Sequence, residues 1–455
     1  MLRAIKIYRK HGPAFLALFE TGLILAGLYM LWRLHHGMYG DGMIRFRAIS
    51  AWLEQGTLPP MPYSIVGPAF SIPFWLIGRM YNDALNWCTQ YNLFLFAFGM
   101  LVSYLLLRKY VDGGLLRKFY LVLIIASMFP MHVTAYYGEV FTAVCVGFGI
   151  MVLLRRSAAV GGWVAIILGV VNTPASLFAL GCVVLKRLLD SKRWRYILVV
   201  VAAGGLIMAE NWIRRGGPFV TGYANDHGFR TIMPYSGLAG FSYPFFFGLL
   251  SILFSFGKGL IFFAPGLILP VRSTLLKWQQ EKQVPLYSIY LLWISFLIGL
   301  ILVYARWWAW YGGLFWGPRF FLFASIPASF ALAARLQDKQ APLIVNLLAL
   351  LALALSCWVG FDGAIFNNQV ASLSTCMADN ARWEMLCHYT PEFSVLWYPF
   401  VGHMRPTQQQ ILDVVYWGIA SAYLLIPLLI KIVEQLIEPL RNYWREYLNI
   451  RQWRF

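Results

Sequence analysis

The chain has 455 residues, of which 60% are hydrophobic and 12% charged. Soluble domains run about 45–50% apolar and about 25% charged, so a soluble enzyme with a large core is excluded and a polytopic membrane protein is indicated. The net charge of +18 could suggest nucleic acid, but in a membrane protein it points instead to the positive-inside bias and to contact with anionic lipid or phosphate.

The N-terminus, MLRAIKIYRKHGPAF, has a basic flank, a long apolar run and no small-residue cleavage site. It predicts a retained first span rather than a signal peptide. A span needs about 20 apolar residues, fewer where the helix is buried in protein. Twelve are predicted, at 14–34, 88–107, 119–135, 139–154, 158–171, 174–187, 196–213, 259–272, 285–304, 320–335, 341–360 and 413–432. Asn172-Thr173-Pro174 interrupts one long apolar tract and predicts a tight turn between two short helices.

With the N-terminus inside, the cytoplasmic segments are 1–13, 108–118, 155–157, 186–195, 272–284, 335–340 and 431–455. They hold 25 of the 37 Lys and Arg. That bias supports the topology, makes both termini cytoplasmic and leaves no charge for nucleic acid to explain.

The external loops, 35–87, 214–258, 305–319 and 361–412, are long. In the first, GDGMIRFRAISAWLEQG places apolar residues at 43, 44, 46, 48, 49, 52 and 53. That spacing predicts an amphipathic interfacial helix. YSIVGPAFSIPFWLIG (63–78) is apolar but short and proline-rich, and predicts an embedded or interfacial helix. As a full span it would turn RKYVDGGLLRK outward.

Cys88, Cys145, Cys182 and Cys357 lie in or at spans and are expected to pack. Cys376 and Cys387 share the last external loop, 11 residues apart, and an oxidising compartment would favour a disulfide between them. No nucleotide-binding loop, dinucleotide fingerprint, CxxC or HExxH occurs. His35-His36 is more easily solvated or phosphate-facing than metal-binding. Without a cofactor site, any chemistry draws on a pre-activated substrate.

Four motifs carry chemistry. Asp41, between glycines at the mouth of the bundle, could accept a proton from an attacking hydroxyl; it could equally be the N-cap of the amphipathic helix. Glu139, in AYYGEVF, follows Tyr136 and Tyr137, which could stack on a sugar; an interfacial aromatic belt is the alternative. YARWWAWYGGLFWGPRF (304–320) holds four Trp, two Tyr, two Arg and three Gly. A belt explains the aromatics but not the paired glycines and arginines, which suggest a shaped loop presenting guanidinium groups to phosphate. FSFGKGLIFFAP (254–265) places Lys258 between glycines, as a phosphate contact or as a snorkelling lysine.

The chain resembles the integral-membrane glycosyltransferases of the GT-C superfamily, which use polyprenyl-phosphate sugars. The resemblance covers most of the chain. It rests on Asp41 in the first external loop, the interfacial helices after it, SFGKGLIFFAP, and WAWYGGLFWGPRF followed by a helix containing Pro327. It implies an all-α bundle of about 12 spans forming one catalytic unit over 1–455, with a basic cytoplasmic tail at 433–455. Asp41 would be the catalytic base, with Glu139 assisting. Lys258, Arg306, Arg319 and His36 would hold the donor phosphate; Tyr136, Tyr137, Trp307, Trp310, Tyr311 and Trp316 would face sugar or acceptor. Gly42, not a second acidic residue, follows Asp41, which argues against a divalent metal, and no cofactor is expected. The expected protein is a monomer of the bacterial inner membrane with its site facing the periplasm. Its donor would be a polyprenyl-monophosphate sugar and its acceptor a protein, glycan or lipid. The nearest flavour is arabinofuranosyl and related transferases, including those modifying pilins. A lipid-linked sugar flippase and an O-antigen ligase or polymerase are the competing classes.

Overall fold

The computed structural model describes residues 2–452 except 224–225, 314 and 367–369, and excludes the side chains of 2–12, 370–373 and 440–452. The described residues form an all-α bundle with no strands. Among the described residues, seven helices are long and apolar enough to cross a membrane.

In chain order the helices are α1 (Leu2–Arg33), α2 (Asp41–Gln55), α3 (Val66–Ala69), α4 (Ile72–Met80), α5 (Ala84–Thr89), α6 (Tyr91–Leu107), α7 (Gly113–Ile125), α8 (Phe129–His132), α9 (Gly138–Val152), α10 (Ala159–Asn172) and α11 (Leu177–Ser191). They continue with α12 (Ile197–Arg215), α13 (Phe245–Phe254), α14 (Leu260–Phe263), α15 (Arg272–Lys282), α16 (Leu286–Tyr304), α17 (Ser325–Gln337), α18 (Leu343–Ile365), α19 (Val370–Ala381), α20 (Leu386–Tyr389), α21 (Tyr398–Val401) and α22 (Ile411–Gln452). Every predicted span but one is mainly helical. The expected tail at 433–455 is the continuation of α22 as far as Gln452; 453–455 lie outside the described residues.

The charge pattern sorts onto two ends. At one end Lys282 pairs with Asp112 at 3.5 Å, Thr274 Oγ1 donates to Asp338 Oδ2 at 2.6 Å, and Lys431 Nζ donates to the Asp338 carbonyl. Arg117 and Lys118 close on buried Glu20 at 2.7 and 3.0 Å. These residues come from or border the segments assigned to the cytoplasm. The motifs assigned outside meet at the other end. Asp112 also caps α7, accepting from the Leu115 N–H at 3.0 Å, which explains one acidic residue inside a basic run.

The first external loop folds as expected. α2 buries Arg45, Ala48 and Ile49 on one side and exposes Ile44 on the other. The 63–78 stretch forms α3 and α4, each too short to cross, and α4 exposes Leu76, Ile77 and Met80, a face suited to lipid. The Asn172–Pro174 turn is present. Asn172 ends α10, accepts from the Gly67 N–H at 3.1 Å and donates to the Gly138 carbonyl at 2.8 Å, so it ties the embedded segment to the start of α9.

Association of helices in lipid relies on close packing rather than on expulsion of water. Where α9 meets α10, a Cβ on Gly149 would fall 2.9 Å from the Gly162 carbonyl, and one on Gly162 would fall 2.8 Å from the Gly149 carbonyl.

Two expectations are corrected. Residues 245–254, assigned to an external loop, form α13. The Tyr243 N–H before it donates to the Arg306 carbonyl, and Ser251 on it reaches Tyr389 at 2.8 Å. α13 therefore lies at the same end as the 304–320 loop, exposing Phe246 and Phe254.

The predicted span 259–272 is not a helix of spanning length. It is α14, a 3-10 turn at Pro265–Ile268 and a non-helical stretch before α15. It runs beside the segment Arg319–Gln337, since Lys258 bonds the loop just before Arg319 and Thr274 bonds Asp338. Arg319–Gln337 has 19 residues, about 28 Å at about 1.5 Å per residue. From Lys258 to Thr274 there are roughly 16 steps, and an α-helix of that length would reach about 24 Å only. The chain unwinds to cover the difference. The 3-10 turn packs against α17 and α18, and α14 packs against α18, which shields this irregular backbone from lipid.

The expected bridge is present. Cys376 and Cys387 form a disulfide, with Cα atoms 6.1 Å apart. Closing so short a loop contributes about 3 kcal/mol. Thiol tagging of unreduced, denatured protein should modify the other four cysteines and leave this pair until reductant is added. Quantitative tagging of the pair without reductant would contradict the bridge.

Candidate active site

Asp41 is the first residue of α2. Gly40 is the N-cap, at φ 49°, and no side chain caps the helix. The capping role is therefore taken by a glycine suited to that left-handed backbone, and the Asp41 carboxylate is free for other contacts. Its Oδ2 lies 2.7 Å from Arg319 Nη2. Arg319 Nε lies 3.7 Å from Glu139 Oε1. One guanidinium thus joins two carboxylates from α2 and from the first turn of α9. The three side chains come from points far apart in sequence.

Tyr137 forms a wall of this site. The Arg319 guanidinium lies 5.1 Å from the Tyr137 ring centroid, 5.3 Å from Phe320 and 6.0 Å from Phe315, close enough for cation–π attraction. Asn92 fixes the Tyr137 backbone by donating to the carbonyls of Ala135 at 2.6 Å and Tyr137 at 2.9 Å. Burial pushes the Tyr137 phenol up to about 12, so its hydroxyl stays protonated.

Two further residues escaped the sequence reading. The Tyr63 hydroxyl lies close enough to the Asp41 carboxylate to help hold its pKa down. Arg45, one helical turn after Asp41, lies 4.6 Å over the Tyr63 ring and donates to the Ser64 carbonyl at 3.4 Å. The i, i+4 spacing of Asp41 and Arg45 was a legible signal; nothing local marked Tyr63.

Burial alone would raise the Asp41 pKa. The charge of Arg319, the Tyr63 hydroxyl and Arg45 together outweigh it, and the carboxyl sits below its usual 3.8. The pairing therefore contributes stability at pH values above 3.8 and loses it as pH falls through the lower folded value.

Lys258 does not present its charge to this site. Its Nζ donates to the carbonyls of Gly313 at 3.0 Å, Phe315 at 2.5 Å and Gly317 at 2.9 Å. Burial, and then Arg319 nearby, press its pKa down to about 7. Three acceptors nevertheless require three N–H donors, which only the ammonium has. Lys258 pins the loop that delivers Arg319. That loop needs its glycines, since Gly312, Gly313 and Gly317 take φ of 75°, 77° and 65°.

The other expected contacts divide in the same way. Tyr311 donates to Glu384 at 3.1 Å and Trp316 to Asp362 at 2.7 Å, both buried. Trp310 is buried among Tyr243, Tyr311, His388 and Tyr389. Tyr136 meets the Ser71 hydroxyl at 2.6 Å in the interior. These four support the loop and the embedded segment and offer no ring face to a sugar. Trp307 contacts Tyr223 and Phe241. Arg306 is exposed and donates to the Phe241 carbonyl at 3.2 Å, with no described contact to Asp41, Glu139 or Arg319. The His36 ring lies between the carbonyls of Leu31 at 3.0 Å and Thr89 at 3.3 Å, and burial lowers its pKa. Composition cannot distinguish such packing roles from ligand-facing ones, which is why the sequence grouped them together.

No family model matches the chain, and no curated protein does. Among solved structures it is similar to the crystal structure of ArnT from Cupriavidus metallidurans bound to undecaprenyl phosphate, at 14% identity and a TM-score of 0.46, over 94% of this chain and 77% of that one.

Proposed function

We propose that the protein is a GT-C-like glycosyltransferase that moves a sugar from a polyprenyl-monophosphate donor to an acceptor hydroxyl. The observation that supports this best is the Arg319 guanidinium, held between the carboxylates of Asp41 and Glu139 at the outer end of the bundle. Arg319 would bind the donor phosphate, matching its oxygens with a planar fork. Asp41 would accept the acceptor proton as the new bond forms at the anomeric carbon. The bond from that carbon to the phosphate oxygen would break, and Arg319 would stabilise the charge gathering on the departing polyprenyl phosphate. Glu139 would orient donor or acceptor. The polyprenyl chain would lie in the bilayer, beside exposed apolar surface such as that of α4 and α13.

Donor binding would also exchange partners. A phosphate that engages Arg319 takes it from Asp41, and the carboxylate becomes a stronger base only when the donor is in place.

The competing classes fit less well. A flippase needs charge along a central path. Two acids buried among the helices are instead locked locally, Glu20 to Arg117 and Lys118 and Asp362 to Trp316. An O-antigen ligase needs cations for a diphosphate. Here Lys258 is spent on carbonyls, Arg306 donates to the Phe241 carbonyl and Arg45 is engaged by Tyr63 and the Ser64 carbonyl, which leaves Arg319 as the guanidinium between the two acids, suited to one phosphate. The finer proposal is a pentofuranose such as arabinofuranose, a protein, glycan or lipid acceptor, and a monomer in the bacterial inner membrane with its site on the periplasmic side.

Detergent-purified protein supplied with a synthetic polyprenyl-monophosphate sugar and a cell-envelope acceptor extract should release polyprenyl phosphate. The matching diphosphate should give no turnover. Turnover with the diphosphate alone would move the protein to the ligase class.

A further inference from the structure

The segment leading to Tyr63 reads LPPMPY (58–63). Pro59, Pro60 and Pro62 have no N–H to give, so this backbone cannot build its own ladder and presents mostly carbonyls. Those carbonyls are taken up by the outer end of α12. Arg214 donates to the carbonyls of Tyr63 at 2.8 Å and Pro59 at 3.2 Å. Arg215 donates to those of Met61 at 2.6 Å and Pro62 at 3.3 Å. Glu210 accepts from the Ile65 N–H at 2.8 Å and the Ser64 hydroxyl at 2.7 Å, and pairs with Arg214 at 2.8 Å.

Two guanidinium groups and a carboxylate are thus directed at seven residues of backbone. Charge-assisted bonds of this kind are the strong ones, and the Arg214 side chain is 1% exposed. A surface loop with no task beyond connection would leave such carbonyls to water. The one side chain in the clamped segment that reaches the site is Tyr63. Its ring is held between Arg45 at 4.6 Å and Tyr223, whose centroid lies 6.3 Å away edge-on, and its hydroxyl is near enough to Asp41 to lower the pKa of that carboxyl.

We propose that Glu210, Arg214 and Arg215 are positioning residues for the transfer, acting through Tyr63, whose hydroxyl orients the Asp41 carboxylate toward the acceptor. This rests on the reading of Asp41 as the base. A hydroxyl bonded to one carboxylate oxygen would fix the rotation of the group and leave its other lone pairs aimed at one place, and small misplacements of a reacting group are costly.

The test is a double-mutant cycle on detergent-purified full-length protein, with the synthetic polyprenyl-monophosphate sugar and the envelope acceptor extract. Tyr63→Phe and Glu210→Ala should each lower kcat by about 10- to 100-fold, with donor KM changed by less than about threefold. The double variant should be no slower than the slower single one, because the two act on one coordinate. Arg214→Lys should retain more activity than Arg214→Ala. Losses that multiply in the double variant would assign Glu210 a purely structural role and overturn the proposal. So would single variants with wild-type kcat. If Glu210→Ala fails to fold by size-exclusion profile, Ser64→Ala, which removes one bond of the same clamp, takes its place. Asp41→Asn separates the two readings. If it stays active, the base assignment fails. If it is inactive while Tyr63→Phe and Glu210→Ala are normal, only the positioning proposal fails.

Discussion

Asp41→Asn is expected to abolish transfer while the protein still folds and still takes up donor. The substitution keeps the shape of the side chain and one acceptor oxygen, and it removes the charge and the basicity. Loss of a general base typically costs about 10²–10⁴-fold. The cost to folding should be small by comparison, because the Arg319 guanidinium keeps Glu139 and its aromatic surround. Donor binding, read by co-purified or added polyprenyl-phosphate lipid, should hold or tighten, since Arg319 no longer has to leave Asp41. A well-folded Asn variant with full turnover would remove Asp41 from the mechanism.

Arg319→Lys is expected to lose most activity despite keeping its charge. A lysine is a point charge and cannot keep Glu139 while matching a phosphate with a planar fork. Loss of a group that stabilises developing charge costs about 10²–10³ in kcat. The wild-type enzyme should carry a second signature of the same residue. In the free protein the Asp41 carboxyl lies below its usual value, burial being outweighed first by Arg319. In the donor complex Arg319 is engaged by phosphate, burial acts with less opposition, and the Asp41 pKa rises. The acid limb of kcat, which reports the complex, should therefore lie at higher pH than the acid limb of kcat/KM for donor, which reports the free enzyme. Coincident limbs would show that Arg319 does not change partners. An Arg319 variant with normal rates and weak acceptor binding would place the 304–320 loop on the acceptor side.

Three ionisable residues of the site stood out because such residues are rare in this chain, and Arg45 did not. Asp41, Glu139 and Arg319 each interrupt an apolar or aromatic stretch at a predicted outer end, where a solvated charge has little local reason to be. Tyr63 was not legible, because tyrosine is unremarkable beside prolines at an interface and its contact to Asp41 arises from a clamp 150 residues away in the chain. Lys258 was placed at the correct end with the wrong partner. Spacing can show that a lysine lies at the mouth of a groove, but the three carbonyls that accept its hydrogen bonds come from a loop folded over it. The span set was legible from hydropathy. The failure at 259–272 follows from the same source, since an apolar run records that a segment sits among apolar groups and does not record its rise per residue.

That irregular crossing has a consequence for how the chain is made. A continuous apolar helix satisfies its own backbone and can enter the bilayer as soon as it leaves the ribosome. Residues 259–271 cannot, because the helices that cover them, α17 and α18, are synthesised afterwards. Until about residue 365 has emerged, this stretch has no lipid-compatible partner. A nascent chain halted between α15 and α18 would hold it in the insertion machinery or in the headgroup layer, with Arg319 and its loop still unplaced. Completion of the membrane domain and assembly of the Asp41–Arg319–Glu139 cluster are then a single late event in biogenesis. Truncations within α17 or α18 should give protein that is cleared by membrane proteases, and not a stable fragment lacking only its last helices.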